Sequence, residues 1–572
     1  MRTFRPRLRA LAVTAALLVP TALLQPTLSA GAAQGSVGKG KPTPGTVELQ
    51  LLNIADFHGN LEPLNVNRVD VGGAAVLKAY FDQERANNPN TILFTGGDAV
   101  GASPPISSFF QDAPTIEWMN TAGFDAYAIG NHDFDAGLGR LQEQIDAADF
   151  PYLGANLRNL EGNLTGIAPY TVLDAGGVKV AMIGVTNPEA PTLVAPGNTG
   201  SIDITEPARA AQQARAAALK DGASVFVAFG HLGVTNIDAA GKGTGPLIDF
   251  ARAVTGFDAV VGDHTNVEYQ EVINGALVSE NKSFGVGYSR TTLTVQKGQG
   301  NGQGGGSGKG VGNGKDRVVA KDVRFVTPLV SGVTPDPAVQ ARVAELRAEV
   351  QKSFDVPIGT ASGVLPRGGT PAVERVGEVA VGNVVTDALR TTYGTQIAFT
   401  NGGGLRSALP SNYAPADTSL RRPAPGYAAG PPFDLVLGDA YTLLPFGNVA
   451  LTRTVTGAQL WSTLEFSVAR IPAADGRFLQ ISGFRFTYDA AQPAGSRVVS
   501  VTLNDGTPIA NDASLTLTAA TNDFTNSGGD GYTTLADGQG VTRDLLANVT
   551  ADYLRQVGTV SPATEGRITR LN

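Results

Sequence analysis

Residues 125–137, DAYAIGNHDFDAG, pass without a break from an apolar, strand-like run into a cluster of imidazole, amide and carboxylate side chains. The same transition recurs in VELQLLNIADFHGN (47–60), SVFVAFGHLG (224–233) and DAVVGDHTN (258–266), and it ends on an Asp in NTILFTGGDAVG (90–101). The chain has four histidines, His58, His132, His231 and His264, and these motifs hold all of them. A lone His on a strand is ordinarily a satisfied core or surface residue. Here no His is spare and Asp or Asn stands within two positions of three of the four, so the strand ends are expected to collect into one metal site.

At 572 residues the chain is long enough for at least two domains. From 45 to 333, β-rich runs alternate with helical stretches such as GGAAVLKAYFDQERA (72–86) and TEPARAAQQARAAALK (205–220), which predicts a layered α/β domain. Candidate ligands fall where strands run into loops, the usual place for a site on a rigid scaffold. Inside this span, GQGNGQGGGSGKGVGNG (298–314) is glycine at ten of seventeen positions. Such a stretch cannot offset the entropy of ordering, so a mobile insert between two strands is expected. It has neither the GK[ST] sequence nor the strand-to-helix setting of a phosphate cradle. The segment TPDPAVQARVAELRAEVQKSF (334–354) spaces Val339, Val343, Leu346 and Val350 for one buried helical face and is read as a connector over 334–356. Residues 357–572 then form the second domain.

Four arginines precede an apolar stretch and a small-residue region in residues 1–33, the layout of a secretory signal peptide. That apolar run is short and is broken by Pro20, which argues against a spanning helix. The expected location is extracellular, with no membrane anchor. The formal charge is -8 with 43 basic and 51 acidic side chains, and removal of Arg2, Arg5, Arg7 and Arg9 leaves 39 against 51, or -12. Nucleic acid is then an unfavourable partner. Cysteine is absent, so the core and bound metals, not disulfides, must stabilise the exported chain.

The order Asp56-x-His58, Gly-Gly-Asp98, Gly-Asn131-His132-Asp133, Gly-His231 and His264-x-Asn266 resembles the calcineurin-like metallophosphatases and, more narrowly, the 5'-nucleotidase family. The segments VGEVAVGNVVTDALR (376–390), AFTNGGGLRSAL (398–409), LLPFGNVALTRTVTG (443–457) and AATNDFTNSGGDGY (519–532) resemble the same family in the same order. The likeness therefore covers nearly all of the chain beyond the signal segment. It implies an N-terminal four-layered α/β/β/α metallophosphatase domain and a C-terminal α/β substrate-binding domain.

The resemblance implies two divalent ions, one held by Asp56, His58, Asp98 and Asn266 and the other by Asp98, Asn131, His231 and His264, with Asp98 as the bridge. Mixed imidazole, carboxylate and amide ligands suit Zn, Mn or Co better than Ca. His132 is implied to meet the phosphoryl group or protonate the leaving oxygen, with Asp135 orienting its ring. Asp133 receives no role, and Asp263 is expected to support a ligand or a turn. On the substrate side, Arg375, Asn401 and Arg406 are implied to bind substrate, the arginines through phosphate oxygens, Phe446 and Phe524 to stack a base, and Asp530 to accept from ribose.

The implied activity is hydrolysis of nucleoside 5'-monophosphates to nucleoside and phosphate, with a small-molecule nucleotide as partner and a monomeric chain. Rival readings are a 2',3'-cyclic-nucleotide phosphodiesterase with 3'-nucleotidase activity, a UDP-sugar or nucleotide pyrophosphohydrolase, and a non-catalytic nucleotide-binding protein. The last would be expected to lack His132, Asp135 or a bridging ligand, and all are present.

Overall fold

The computed structural model describes residues 45–298, 316–368 and 372–572. The signal-peptide reading of residues 1–33 and nearly all of the glycine-rich insert lie outside the described residues. Gly45–Asn572 forms one compact unit.

Its N-terminal part stacks two sheets face to face. In the first, strands Thr46–Ile54, Thr91–Thr95, Ala126–Ala128, Tyr152–Leu153 and Ile167–Ala168 run parallel, and Tyr288–Gln296 and Arg317–Val326 complete it antiparallel beyond the first strand. In the second, Val178–Val185, Val225–Gly230, Ala259–Gly262 and Ala276–Glu280 run parallel between antiparallel edge strands Tyr170–Ala175 and Tyr269–Ile273.

The period of two along each strand decides what packs where. Leu49, Leu51, Ile92 and Phe94 of the first sheet meet Val180, Met182, Val225, Val227 and Val261 of the second in a shared core. The alternate residues Leu52, Ile54 and Leu93 face outward to the helical side containing Leu77, Phe81, Trp118 and Met119. Ala181, Ile183, Ala228 and Val260 likewise face Ala211, Ala214, Leu247 and Ile248 on the opposite side. The result is the four-layered α/β/β/α architecture.

A helix over Pro337–Phe354 leaves this part. Its Asp336 cap accepts from the amides of Ala338 and Val339. Val339, Val343 and Leu346 are buried in the outer core of the first sheet. Phe354, at the far end, meets Phe109 with ring centroids 5.6 Å apart and Tyr441 at 4.9 Å. The helix thus contacts both parts of the chain.

The C-terminal part is built on a five-stranded sheet in the order Leu479–Ser482, Ile397–Asn401, Thr516–Asn522, Val449–Thr456 and Val541–Leu545. Helices Ala380–Tyr393 and Leu546–Val557 cover one face through Val384, Leu389, Val549 and Leu554. Phe399, Val455, Leu460, Ile481 and Phe486 fill the other. No helix among the described residues is long and apolar enough to cross a membrane.

Candidate active site

Parallel strands deliver their carboxyl ends to a common edge, and each sequence motif named above leaves the sheet there. Asp56 and His58 follow Thr46–Ile54, Asp98 follows Thr91–Thr95, Asn131 and His132 follow Ala126–Ala128, His231 follows Val225–Gly230, and His264 follows Ala259–Gly262. Asp56, His58, Asp98, His264 and Asn266 all hold positive φ, between 44° and 89°. Non-glycine residues avoid that region at a cost of about 1–3 kcal/mol each, and strain of this kind collects at functional sites. Gly130 is required at its position because a Cβ there would collide with Asp98 Oδ1.

The donor atoms of His58, Asp98 and His132 lie within 4.8 Å of one another, and so do those of Asp98, His231 and His264. Asp98 is common to both groups. Asp56 Oδ1 stands between them, 3.8 Å from His58 Nε2 and 3.9 Å from His231 Nε2. Asp98 Oδ2 and Asn131 Oδ1 are buried with no hydrogen-bond partner apart from His231 Nε2, which approaches Asp98 Oδ2 to 2.8 Å. A buried polar atom without a partner costs about 1–3 kcal/mol. Converging atoms of this kind suit a bound cation, and imidazole nitrogen with carboxylate and amide oxygen suits a first-row divalent ion. Asn266 is exposed, so the fit there rests on its place in the His264 loop.

Second contacts orient the rings. His58 Nδ1 lies 2.7 Å from the Gly101 carbonyl, so it carries the proton and leaves Nε2 free. His264 Nδ1 is 2.9 Å from His231 Nε2, and His264 N donates to Asp56 Oδ2 at 2.8 Å. His132 N donates to Asp98 Oδ1 at 2.8 Å, while His132 Nδ1 meets Asp135 Oδ2 at 2.8 Å.

These contacts set the charges. Burial works against the ionised form of Asp98, but His231 and His132 outweigh it and hold the carboxyl well below its usual range. Burial also opposes a charged His231, yet Asp98 and Asp56 bring it up to about 10. His132 is raised in the same manner, by Asp135 and Asp98 against burial. Burial and the neighbouring His231 depress His264 to about 3.

Three carboxyl groups support the site without belonging to the implied ligand set. Asp133 accepts from Gly130 N at 2.7 Å and from Tyr127 Oη at 2.6 Å, bracing the turn that presents Asn131 and His132. Asp263 accepts from Gly96 N at 2.6 Å and so ties the His264 strand end to the Asp98 loop. Glu280 is fully buried and accepts from Val234 N and Thr265 N. Burial, offset by these donors, pushes it up to about 8.

The C-terminal part brings its own residues to this edge. The Phe446 ring lies 5.4 Å from that of His132, and the Arg406 guanidinium stands 5.6 Å from the Phe446 centroid. Burial, with Arg367 and Arg375 nearby, lowers Arg406 to about 9. Arg375 Nε is buried without a hydrogen-bond partner. Arg367 donates to buried Glu374 at 2.7 Å and is a third guanidinium here, outside the motifs that named the other two. Asn401 Nδ2 donates to Asp530 Oδ2 at 2.8 Å, so these two are one unit. Phe524 covers Gly529, where a Cβ would strike its ring.

Residues 49–267 match the model of the calcineurin-like phosphoesterases, and residues 357–537 match that of the 5'-nucleotidase C-terminal domain. A snake venom 5'-nucleotidase of Naja atra is 27% identical over 558 residues, covering 92% of this chain and 99% of that one. Endonuclease YhcR of Bacillus subtilis is 27% identical over 493 residues, covering 82% of this chain but only 36% of that larger protein. The crystal structure of a 5'-nucleotidase precursor from Thermus thermophilus superposes with a TM-score of 0.76 at 27% identity, over 92% of this chain and 100% of its own. With the domain order, the fold and the strand-end donors in agreement, the chain belongs to the 5'-nucleotidase family of calcineurin-like metallophosphatases.

Proposed function

We propose that the protein is an exported 5'-nucleotidase that hydrolyses nucleoside 5'-monophosphates to nucleoside and phosphate. The observation that carries this reading is the meeting of the two parts of the chain, where the Phe446 ring lies against His132 and the Arg406 guanidinium stands over Phe446. A generic phosphatase has no need of that contact. An aromatic face and a guanidinium placed against the metal-site edge suit a substrate with a base at one end and a phosphate at the other.

Asp56, His58, Asp98 and Asn266 would hold one divalent ion, and Asp98, Asn131, His231 and His264 a second, with Zn, Mn or Co as the fitting metals. Bound ions of this kind polarise phosphoryl oxygens and make water acidic enough for in-line attack on phosphorus. The chain's own groups do the rest. Arg375 and Arg406 pair their planar forks with phosphate oxygens and fix the phosphoryl group. As water adds and the bond from phosphorus to the 5' oxygen breaks, His132 Nε2 supplies a proton or a hydrogen bond to the departing oxygen, since Nδ1 is engaged by Asp135. Phe446 and Phe524 offer faces to the base, and Asp530, held by Asn401, accepts from the ribose hydroxyls.

The endonuclease name of one relative raises polynucleotide cleavage as a second reading, but the chain spans about a third of that protein and its net charge is -8. A small nucleotide is the better-matched substrate. Initial rates on AMP, 3'-AMP, 2',3'-cyclic AMP, UDP-glucose, ATP and single-stranded DNA, with added Mn or Zn, test the assignment. AMP is expected to give the highest kcat/KM. Preference for the cyclic or 3' compound, or for DNA, overturns it.

A further inference from the structure

Glu280 lies in none of the motifs that marked the site, yet its carboxyl group joins the two loops that carry His231 and His264. It closes the strand Ala276–Glu280, whose register sets Glu280 opposite Gly262, with Gly262 in turn opposite Gly230. Those two glycines immediately precede the His231 loop and the Asp263–Asn266 loop. One sheet row therefore aligns all three segments.

From that row, Glu280 Oε2 accepts from Val234 N at 2.7 Å, three residues beyond His231. Glu280 Oε1 accepts from Thr265 N at 3.0 Å and lies 2.7 Å from Thr265 Oγ1. Thr265 is the residue between His264 and Asn266, and its hydroxyl also reaches the Val234 carbonyl at 2.8 Å. The side chain is fully buried, so no water substitutes for these partners. The imidazoles carried by the two loops are 2.9 Å apart, from His264 Nδ1 to His231 Nε2.

We propose that Glu280 is a positioning residue that presets the His231–His264 pair for its divalent ion by clamping their loops from behind. This rests on the reading that both histidines hold metal. It touches neither substrate nor ion, and acts by making the pair rigid before binding, as outer contacts of metal ligands do.

Titration calorimetry with Mn2+ alone on chelator-stripped protein, with metal content by mass spectrometry and a melting curve, tests it. Glu280→Met keeps the volume and removes the acceptors. It is expected to weaken the Mn2+ site of His231 and His264 by about 10- to 100-fold and to affect the other, which the clamped loop reaches only through Asn266, much less. Glu280→Gln, which keeps one acceptor oxygen, should recover part of that loss, and Thr265→Val, which alters only the hydroxyl, should weaken the same site less. If Glu280→Met fails to fold, the Gln and Val variants carry the comparison. A lowered melting temperature with both Mn2+ affinities unchanged overturns the proposal and leaves Glu280 as core packing. His264→Ala distinguishes the underlying reading: if it still binds two ions, the metal assignment fails first and the inference with it.

Discussion

The imidazole of His132 and the ring of Phe446 lie face to face across the two parts of the chain, 18° from parallel with centroids 5.4 Å apart. In the proposed reaction Phe446 would both flank the nucleotide and cover the group beside the breaking bond. Phe524 rests instead on Gly529, within the C-terminal part.

The two phenylalanines should therefore separate in kinetics. Phe524→Ala is expected to raise KM for AMP while leaving p-nitrophenyl phosphate unchanged, because stacking on one base is worth about 1–3 kcal/mol and the small ester does not use it. Phe446→Ala should raise KM for AMP and also lower kcat on both substrates, since His132 loses its cover. Equal losses on both substrates from Phe524→Ala, with a lowered melting temperature, would identify that ring as core packing.

Asp98 belongs to both donor groups, and its Oδ1 also receives the His132 amide. Asp98→Ala should be the most damaging change at the metal site. The expected result is loss of both ions by metal analysis, whereas Asn131→Ala loses one. Two ions retained in Asp98→Ala would remove it from the bridging position.

His132 can be removed without dismantling the donor set around Asp98, His231 and His264. His132→Ala is expected to retain metal and lose kcat by roughly 10²–10⁴, the range for a single acid–base or charge-stabilising group. Asp135→Asn should lose less, because it affects orientation and basicity but leaves the ring in place. Wild-type turnover in both variants would place the chemistry elsewhere.

The strand-end donors were legible because apolar runs with a period of two stop at polar motifs, and because no other histidine competes for attention. The order of motifs in the second domain was legible through family likeness alone. Glu280 was not legible, since VSENKSF carries no signal and the residue's importance comes from its register with Gly262. Asp133 lies inside the Gly-Asn-His-Asp motif but acquires its role from Tyr127 and Gly130, contacts that exist only in the folded turn. The left-handed backbone at His58 and His264 was equally hidden, because tertiary packing imposes it on residues that do not favour it. Arg367 carries no sequence signal for a related reason: it reaches the site through Glu374 and not through a recognisable segment.

Asp530 offers a test of the nucleoside subsite by pH. Burial raises its carboxyl to about 6 despite the hydrogen bond from Asn401, with Asp475 adding to the rise. It therefore takes up a proton as pH falls through about 6, well above the ordinary carboxylate range. The neutral group is the poorer acceptor for a ribose hydroxyl. Adenosine has no phosphate of its own to titrate, so its inhibition of p-nitrophenyl phosphate hydrolysis reports this step. The inhibition constant should be flat above about pH 7 and rise toward tenfold per pH unit below about 6, while Asp530→Asn flattens the profile. Stability runs the other way. Because the folded value is raised, the Asp530 contribution is fully present below the unfolded value and is lost as pH rises through about 6. An inhibition constant that stays constant from about pH 5 to 7 in the unaltered protein would take Asp530 out of the ribose site, whatever its effect on the melting curve.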